Sequence, residues 1–114
     1  MNRWIWLQGL LITLLILLIA PGLGNTAGSS EGAELFQQHC AACHINGGNI
    51  IRRGKNLKLK ALERQGIASV DAIAQIAREG VGQMSGYGEL LGPGGDQIIA
   101  EWIWEQAQNA WIQG

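Results

Sequence analysis

Two cysteines and a histidine share one short segment, Cys40-Ala41-Ala42-Cys43-His44. Near a helix end, residues i, i+3 and i+4 project from one face, so both thiols and the imidazole can point the same way. This spacing is the C-x-x-C-H signature, in which the two thiols bond covalently to the vinyl groups of a haem. The sequence therefore predicts one haem c attached at Cys40 and Cys43, with His44 as an axial ligand of the iron.

Other interpretations of the cysteine pair are less well supported. A structural zinc site takes four protein ligands, and the chain lacks a second Cys or His pair to complete one. A thioredoxin-like redox pair would need a β-α-β setting, which the sequence does not indicate, and a simple disulfide needs no adjacent histidine. The haem interpretation is favoured because the motif lies in a small helical domain that follows an export-type segment.

The iron needs a second axial ligand, for which the chain after the N-terminal segment offers His39, Met84, Tyr87 and several lysines, and Met84 is favoured. His39 precedes the motif on the same short helix as His44, so it cannot easily cross to the opposite face of the haem. Met84 lies forty residues beyond His44, in a glycine-rich segment that can wrap the far side. Thioether ligation raises the reduction potential relative to two histidines. If Met84 were weakly bound or not bound, the open position would suit a gas sensor or a peroxidase.

Residues 1–27 are predicted to be a signal peptide, which leaves residues 28–114 as the functional domain. Arg3 is the only charge before an apolar run that ends at Pro21. The alternative is an uncleaved anchor, because the preceding apolar residues extend the run to nearly the ~20 residues that span a bilayer. The domain would then be a tethered haem subunit of a larger complex. Both interpretations place the domain outside the cytoplasm.

Charge is unevenly distributed along the chain. From Gly28 onward, seven basic and nine acidic residues give a net charge of −2. Residues 52–64 nevertheless hold six of the basic residues, opposed only by Glu63, whereas residues 65–114 hold Arg78 against six acids. Such asymmetry can orient docking encounters. Nucleic-acid binding is not expected, because the overall balance is acidic and no aromatic residue interleaves the basic stretch.

The sequence predicts an all-α domain without strands. Apolar spacing and caps indicate four helices, over residues 31–44 with Ser30 as N-cap, 57–65, from Ser69 to Gly80, and from Asp96 onward. Seven glycines between residues 80 and 95 predict a loop there, which carries Met84. The last helix has an apolar stripe in which Trp102 is expected to be buried. A domain this small usually needs a metal, a disulfide or a large prosthetic group to complete its core.

These segments resemble the class I cytochromes c, and most closely the cytochrome c6 family of cyanobacterial and algal thylakoid lumens. The resemblance covers nearly all of residues 31–111. The matching segments are CAACH at 40–44, Asn-Ile-Ile at 49–51, Lys-Asn-Leu at 55–57, and the stretches 61–65 and 106–111. Met84 also precedes Ala100 by sixteen residues, as the ligand methionine does in that family.

The resemblance implies a small class I cytochrome c fold, about four helices around one covalently bound haem, with His44 and Met84 as axial ligands. It implies a monomeric single-electron carrier, not an enzyme, between cytochrome b6f and photosystem I. The location would be the thylakoid lumen or the periplasm, with membrane contact only if the N-terminal segment is retained. The family's M-P-A-F segment is here Met84-Ser85-Gly86-Tyr87, and positions 52 and 53 are both arginine. These departures predict a c6-like paralogue with a different potential or partner.

Overall fold

The computed structural model describes residues 26–112, with side chains from Ser30 onward. Residues 1–25 lie outside this part, so the predicted signal peptide over residues 1–27 and its boundary with the domain remain a prediction. The described part contains α1 Thr26–His39, a 3₁₀ turn Ile45–Gly47, α2 Leu59–Arg64, α3 Val70–Glu79, β1 Gly80–Val81, β2 Met84–Ser85, α4 Gly88–Leu91 and α5 Gly95–Gln108. The fold is all-α apart from the short β1–β2 ribbon, as expected for a class I cytochrome c.

Helix α5 lies at the centre of the packing and contacts both α1 and α3. Its residues Ile99 and Ala100 are fully buried. Helix α1 can approach α5 closely because Gly32 has no side chain: a Cβ at that position would lie 2.5 Å from the Cβ of Trp102. The core is completed by residues from the other helices, mainly Leu62, Ile73, Ala77 and Leu91.

Three aromatic rings join α1, α5 and the C-terminal residues. The ring of Phe36 lies 4.8 Å from that of Trp102 and 5.4 Å from that of Trp111, centroid to centroid. The two indoles meet edge-on at 5.7 Å, an arrangement that aromatic quadrupoles favour. The prediction that Trp102 is buried is confirmed, since 7% of its surface is exposed. Trp111 is half-buried.

The first predicted helix begins and ends earlier than expected. Helix α1 starts at Thr26, so Ser30 lies inside the helix and the predicted N-cap is wrong. It ends at His39: Cys40 N still makes an ordinary helical bond to the Phe36 carbonyl, but Ala41 N donates to the same carbonyl, five residues back. A bond of this span is typical of helix C-termini. The Cys40–His44 segment is therefore a turn that continues from the helix.

The segment between α3 and α5 has more structure than its glycines predict. The Ser69 cap is confirmed, since its side chain accepts from Ala72 N, and α3 ends before Gly80 as predicted. Strands β1 and β2 then pair antiparallel with Val81 opposite Met84. Gly80 has φ +81°, and a Cβ there would lie 2.4 Å from the Met84 carbonyl oxygen. The prediction that the chain contains no strand is thus wrong, and α4 is a helix that the sequence did not indicate.

Candidate haem site

The Cys40–His44 segment keeps one helical turn of hydrogen bonds after α1 ends. The amides of Cys43 and His44 both donate to the Cys40 carbonyl, at 3.2 and 2.9 Å. Both cysteines are free thiols, with Cys40 half-buried and Cys43 exposed. Burial raises the pKa of Cys40 from 9.0 to about 11, and the neighbouring Cys43 adds a smaller effect in the same direction. Before haem attachment, the Cys40 side chain is therefore a neutral thiol at pH 7.

The imidazole of His44 is oriented by its own loop. Its Nδ1 lies 2.7 Å from the Gly48 carbonyl oxygen, which can only accept. Nδ1 therefore carries the proton and donates it, which leaves the lone pair on Nε2. A histidine ligand whose other ring nitrogen donates to a backbone carbonyl has its tautomer and ring orientation fixed in this way. Nε2 of His44 is thus available to an iron atom.

A left-handed turn brings that carbonyl back to the histidine. Asn46 and Gly47 have φ values of +51° and +76°, so the chain reverses immediately after His44. Gly47 is buried beneath Trp111, and a Cβ on it would lie 2.4 Å from the indole Cε2 atom. Only glycine combines the positive φ with this close approach. The support of this loop by Gly47 and Trp111 was not predicted from the sequence.

Met84 is half-buried in β2, and its segment is tied to the end of α3. Tyr87 N donates to the Ala77 carbonyl at 2.8 Å. Gly86 packs on the backbone of α3, where a Cβ would lie 2.5 Å from the Arg78 carbonyl oxygen. The tyrosine ring then meets the imidazole of His39, with 6.1 Å between centroids. His39 directly precedes Cys40, so the Met84 segment and the C-x-x-C-H turn meet at the same end of α1.

The donor set fits a haem c. The segment supplies two free thiols, and His44 supplies an imidazole whose Nε2 is unprotonated, while Met84 adds a half-buried thioether. These are the attachment groups and axial ligands that c-type haems use. In residues 26–112, no group of three or more His, Cys, Asp or Glu side chains could hold a metal ion. The zinc interpretation of the cysteine pair therefore gains no support from the described residues.

None of the helices in residues 26–112 combines the length and apolar character that a bilayer crossing requires.

An all-α domain of this size with a C-x-x-C-H turn at the end of its first described helix is a class I cytochrome c.

Comparison with known proteins places the chain more closely. Residues 27–103 match the family described as cytochrome C oxidase, cbb3-type, subunit III. A cytochrome c6-like protein of Nostoc sp. is 41% identical over 108 residues, 93% of this chain and 96% of that protein. The chain belongs to the cytochrome c6 family, as a c6-like paralogue, and carries one covalently bound haem c.

Solved structures agree with this placement. Cytochrome c6B of a Synechococcus species is 73% identical, with a TM-score of 0.73 over 75% of this chain and 98% of that one. Cytochrome c6C of another Synechococcus species is 47% identical, with a TM-score of 0.66 over 69% of this chain and 96% of that one. The chain is therefore an electron-transfer protein rather than an enzyme, and its partners are redox proteins.

Proposed function

We propose that Cys40 and Cys43 attach the haem and that His44 and Met84 are its axial ligands. The observation that carries this assignment is the 2.7 Å contact between Nδ1 of His44 and the Gly48 carbonyl oxygen, which presents Nε2 as a ligand. The contact of Tyr87 with His39 supports the choice of Met84, because it holds the methionine segment against the helix end that leads into the attachment turn.

The bound haem supplies a one-electron redox couple. The chain holds it in place and sets its surroundings. Gly48 fixes the tautomer of His44 and strengthens its basicity by accepting from Nδ1. The half-buried thioether of Met84 would favour the reduced iron and so raise the potential.

We further propose that the chain, as a monomer, carries electrons from cytochrome b6f to photosystem I in the thylakoid lumen or the periplasm. The cytochrome c6 relatives support this route. The domain of residues 28–114 would be released by cleavage of the N-terminal segment. The changed residues after Met84 indicate a potential that differs from that of the main carrier.

The ligand assignment is tested by absorption spectra of the ferric and ferrous haem-loaded protein. We expect a weak far-red band from methionine-to-iron ligation in the native ferric protein and its loss in Met84→Ala. Val81→Ala is the matched control, because Val81 pairs with Met84 in the ribbon and is exposed. A native protein that is high-spin and binds carbon monoxide would contradict the assignment and favour a ligand-binding haem protein.

The route and the processing have separate tests. Reduction by purified cytochrome b6f and oxidation by photosystem I particles should both occur within milliseconds for a carrier between them. Failure with either complex would refute this route but leave the ligand assignment intact. N-terminal sequencing of the protein purified from both the soluble and the membrane fractions of its native cells would show a start near residue 25 or 28 if the segment is cleaved, and Met1 if it is an anchor.

A further inference from the structure

The loop of residues 49–56 has its backbone braced by asparagine side chains. Oδ1 of Asn49 accepts from the amides of Ile51 and Arg52, at 3.0 and 2.8 Å. Nδ2 of the same side chain donates across the loop to the Lys55 carbonyl at 2.9 Å. One asparagine therefore joins both ends of the loop, as such side chains do in tight turns.

A second asparagine braces the other end. Nδ2 of Asn56 donates to the Arg53 carbonyl, and its Oδ1 accepts from Lys58 N, both at 2.9 Å. Lys55 N also donates to the Arg52 carbonyl. Each residue that carries a positive charge in this loop thus has at least one backbone group in a hydrogen bond within the loop. A preorganised backbone loses little conformational entropy when a partner binds.

The three cations of this loop have no acidic partner among residues 26–112. Arg52, Arg53 and Lys55 are exposed, and none of them forms an ion pair within the described part of the chain, where the salt bridges involve Arg78. The sequence contains no Asp or Glu from Cys40 to Leu62. Their fields therefore add without local compensation. We call residues 49–56, which carry these three side chains, the basic loop.

The basic loop begins beside the attachment turn. Ile50 N donates to the Cys43 carbonyl at 3.0 Å, so one hydrogen bond separates the loop from a proposed haem-bearing residue. The side chains of Ile50 and Ile51 are also exposed. Apolar residues next to a charged rim are the composition of a protein docking site.

We propose that the basic loop is the docking surface for an acidic redox protein, which it steers towards the haem. This inference rests on the electron-carrier function and adds the chemistry of the partner. A protein partner is favoured over an anionic lipid because the loop is hydrogen-bonded to the turn proposed to carry the haem, and a lipid cannot accept an electron from it. Complementary charge raises the rate of such encounters more than their strength.

The test uses the ferrous haem-loaded protein and hexacyanoferrate(III), a trianion that accepts one electron and becomes hexacyanoferrate(II). The net charge of residues 28–114 is −2, so a rate governed by net charge would rise with salt. A rate governed by the basic loop falls, and we expect about a threefold fall between ionic strengths of about 10 and 200 mM. In the variant Arg52→Gln/Arg53→Gln/Lys55→Gln, the rate should instead rise with ionic strength. The control Lys58→Gln/Lys60→Gln/Arg64→Gln removes the same charge outside the loop, and its rate should still fall with ionic strength.

A second readout is direct binding, followed by amide chemical shifts with poly-L-glutamate and with phosphatidylglycerol vesicles as probes. Shifts in residues 49–56 with poly-L-glutamate, absent in the loop variant, support an acidic protein partner. Binding to the vesicles alone would overturn the proposal in favour of a lipid surface. Equal salt slopes in the loop and control variants would also overturn it. Failure to exchange an electron with hexacyanoferrate(III) at any salt concentration would instead refute the electron-carrier function itself.

Discussion

The indole N–H of Trp111 donates to the carbonyl oxygen of Leu57 at 3.1 Å, across 54 residues of sequence. Leu57 N in turn donates to the Gly47 carbonyl at 2.8 Å. The same indole covers Gly47, so it holds together the two ends of the loop that follows His44. A residue close to the C-terminus thereby fixes the backbone beside a proposed axial ligand.

Replacement of Trp111 should separate its hydrogen bond from its packing. Trp111→Phe keeps an aromatic ring but loses the bond to Leu57, and we expect a loss of about 1 kcal/mol in the free energy of unfolding. Trp111→Ala also removes the contacts with Phe36 and Trp102 and should lose about 3 kcal/mol. Guanidinium unfolding of the haem-loaded protein measures both values.

Trp104→Phe is the control for this pair, because the Trp104 indole is half-buried but makes no hydrogen bond within residues 26–112. Equal losses in Trp104→Phe and Trp111→Phe would show that the bond to Leu57 contributes nothing to stability.

Gly47 and Gly66 allow backbone strain to be separated from a clash. Both have positive φ, at +76° and +71°, but only Gly47 faces the indole, whereas a Cβ on Gly66 would meet nothing within 4 Å. Gly66→Ala should cost about 1 kcal/mol, the penalty for a Cβ in the left-handed region. Gly47→Ala should cost about 2 kcal/mol more, because the methyl group displaces Trp111. Thermal unfolding gives the comparison, and similar values for the two variants would contradict the close contact.

The features predicted correctly from the sequence depend on neighbouring residues. The Ser69 cap and the end of α3 at Gly80 follow from side chains within one turn of each helix end. The prediction of one covalently bound haem c rests on the C-x-x-C-H motif, which is equally local. The prediction of Ser30 as N-cap was wrong because the residues before it are also helical, so the helix begins at Thr26.

Very short elements, and individual contacts between residues far apart in sequence, were not predicted. The strands β1 and β2 are two residues long, too short for alternation to show, and α4 contains a single turn between glycines. The support of the His44 loop by Trp111 joins segments far apart in sequence. No periodicity could indicate that contact, since it depends on how α5 packs against α1.

The Ser69 cap should contribute measurably to the free energy of unfolding, because it rests on a single hydrogen bond at the start of α3. Its Oγ accepts from Ala72 N at 3.2 Å, which satisfies one amide at the start of α3. Ser69→Ala should lower the free energy of unfolding by about 1 kcal/mol, and Ser69→Asp should restore it, since aspartate is an equally good cap. Chemical unfolding of the two variants provides the test. A loss in Ser69→Asp as large as in Ser69→Ala would argue against a capping role.

The stability of the domain should depend on pH through Asp96. Arg78, at the end of α3, donates from Nη1 to Oδ2 of Asp96 in the first turn of α5. This hydrogen bond is the main cause that holds the pKa of Asp96 below 3.8. Because the folded pKa lies below the unfolded one, the contribution is present above pH 3.8 and is lost as pH falls through the lowered value. The pair is partly exposed, so we expect less than about 1 kcal/mol at pH 7.

A double-mutant cycle with Arg78→Gln and Asp96→Asn isolates this interaction from the contact of Arg78 with Glu79. The coupling energy, from urea unfolding, should be favourable at pH 7 and should fall towards zero at an acid pH at which Asp96 is protonated. Low pH also protonates other carboxylates and perturbs the haem ligands, but those effects are common to all four proteins and cancel in the cycle. A coupling energy that stays constant down to that pH would show that the contact between α3 and α5 is not governed by the charge of Asp96.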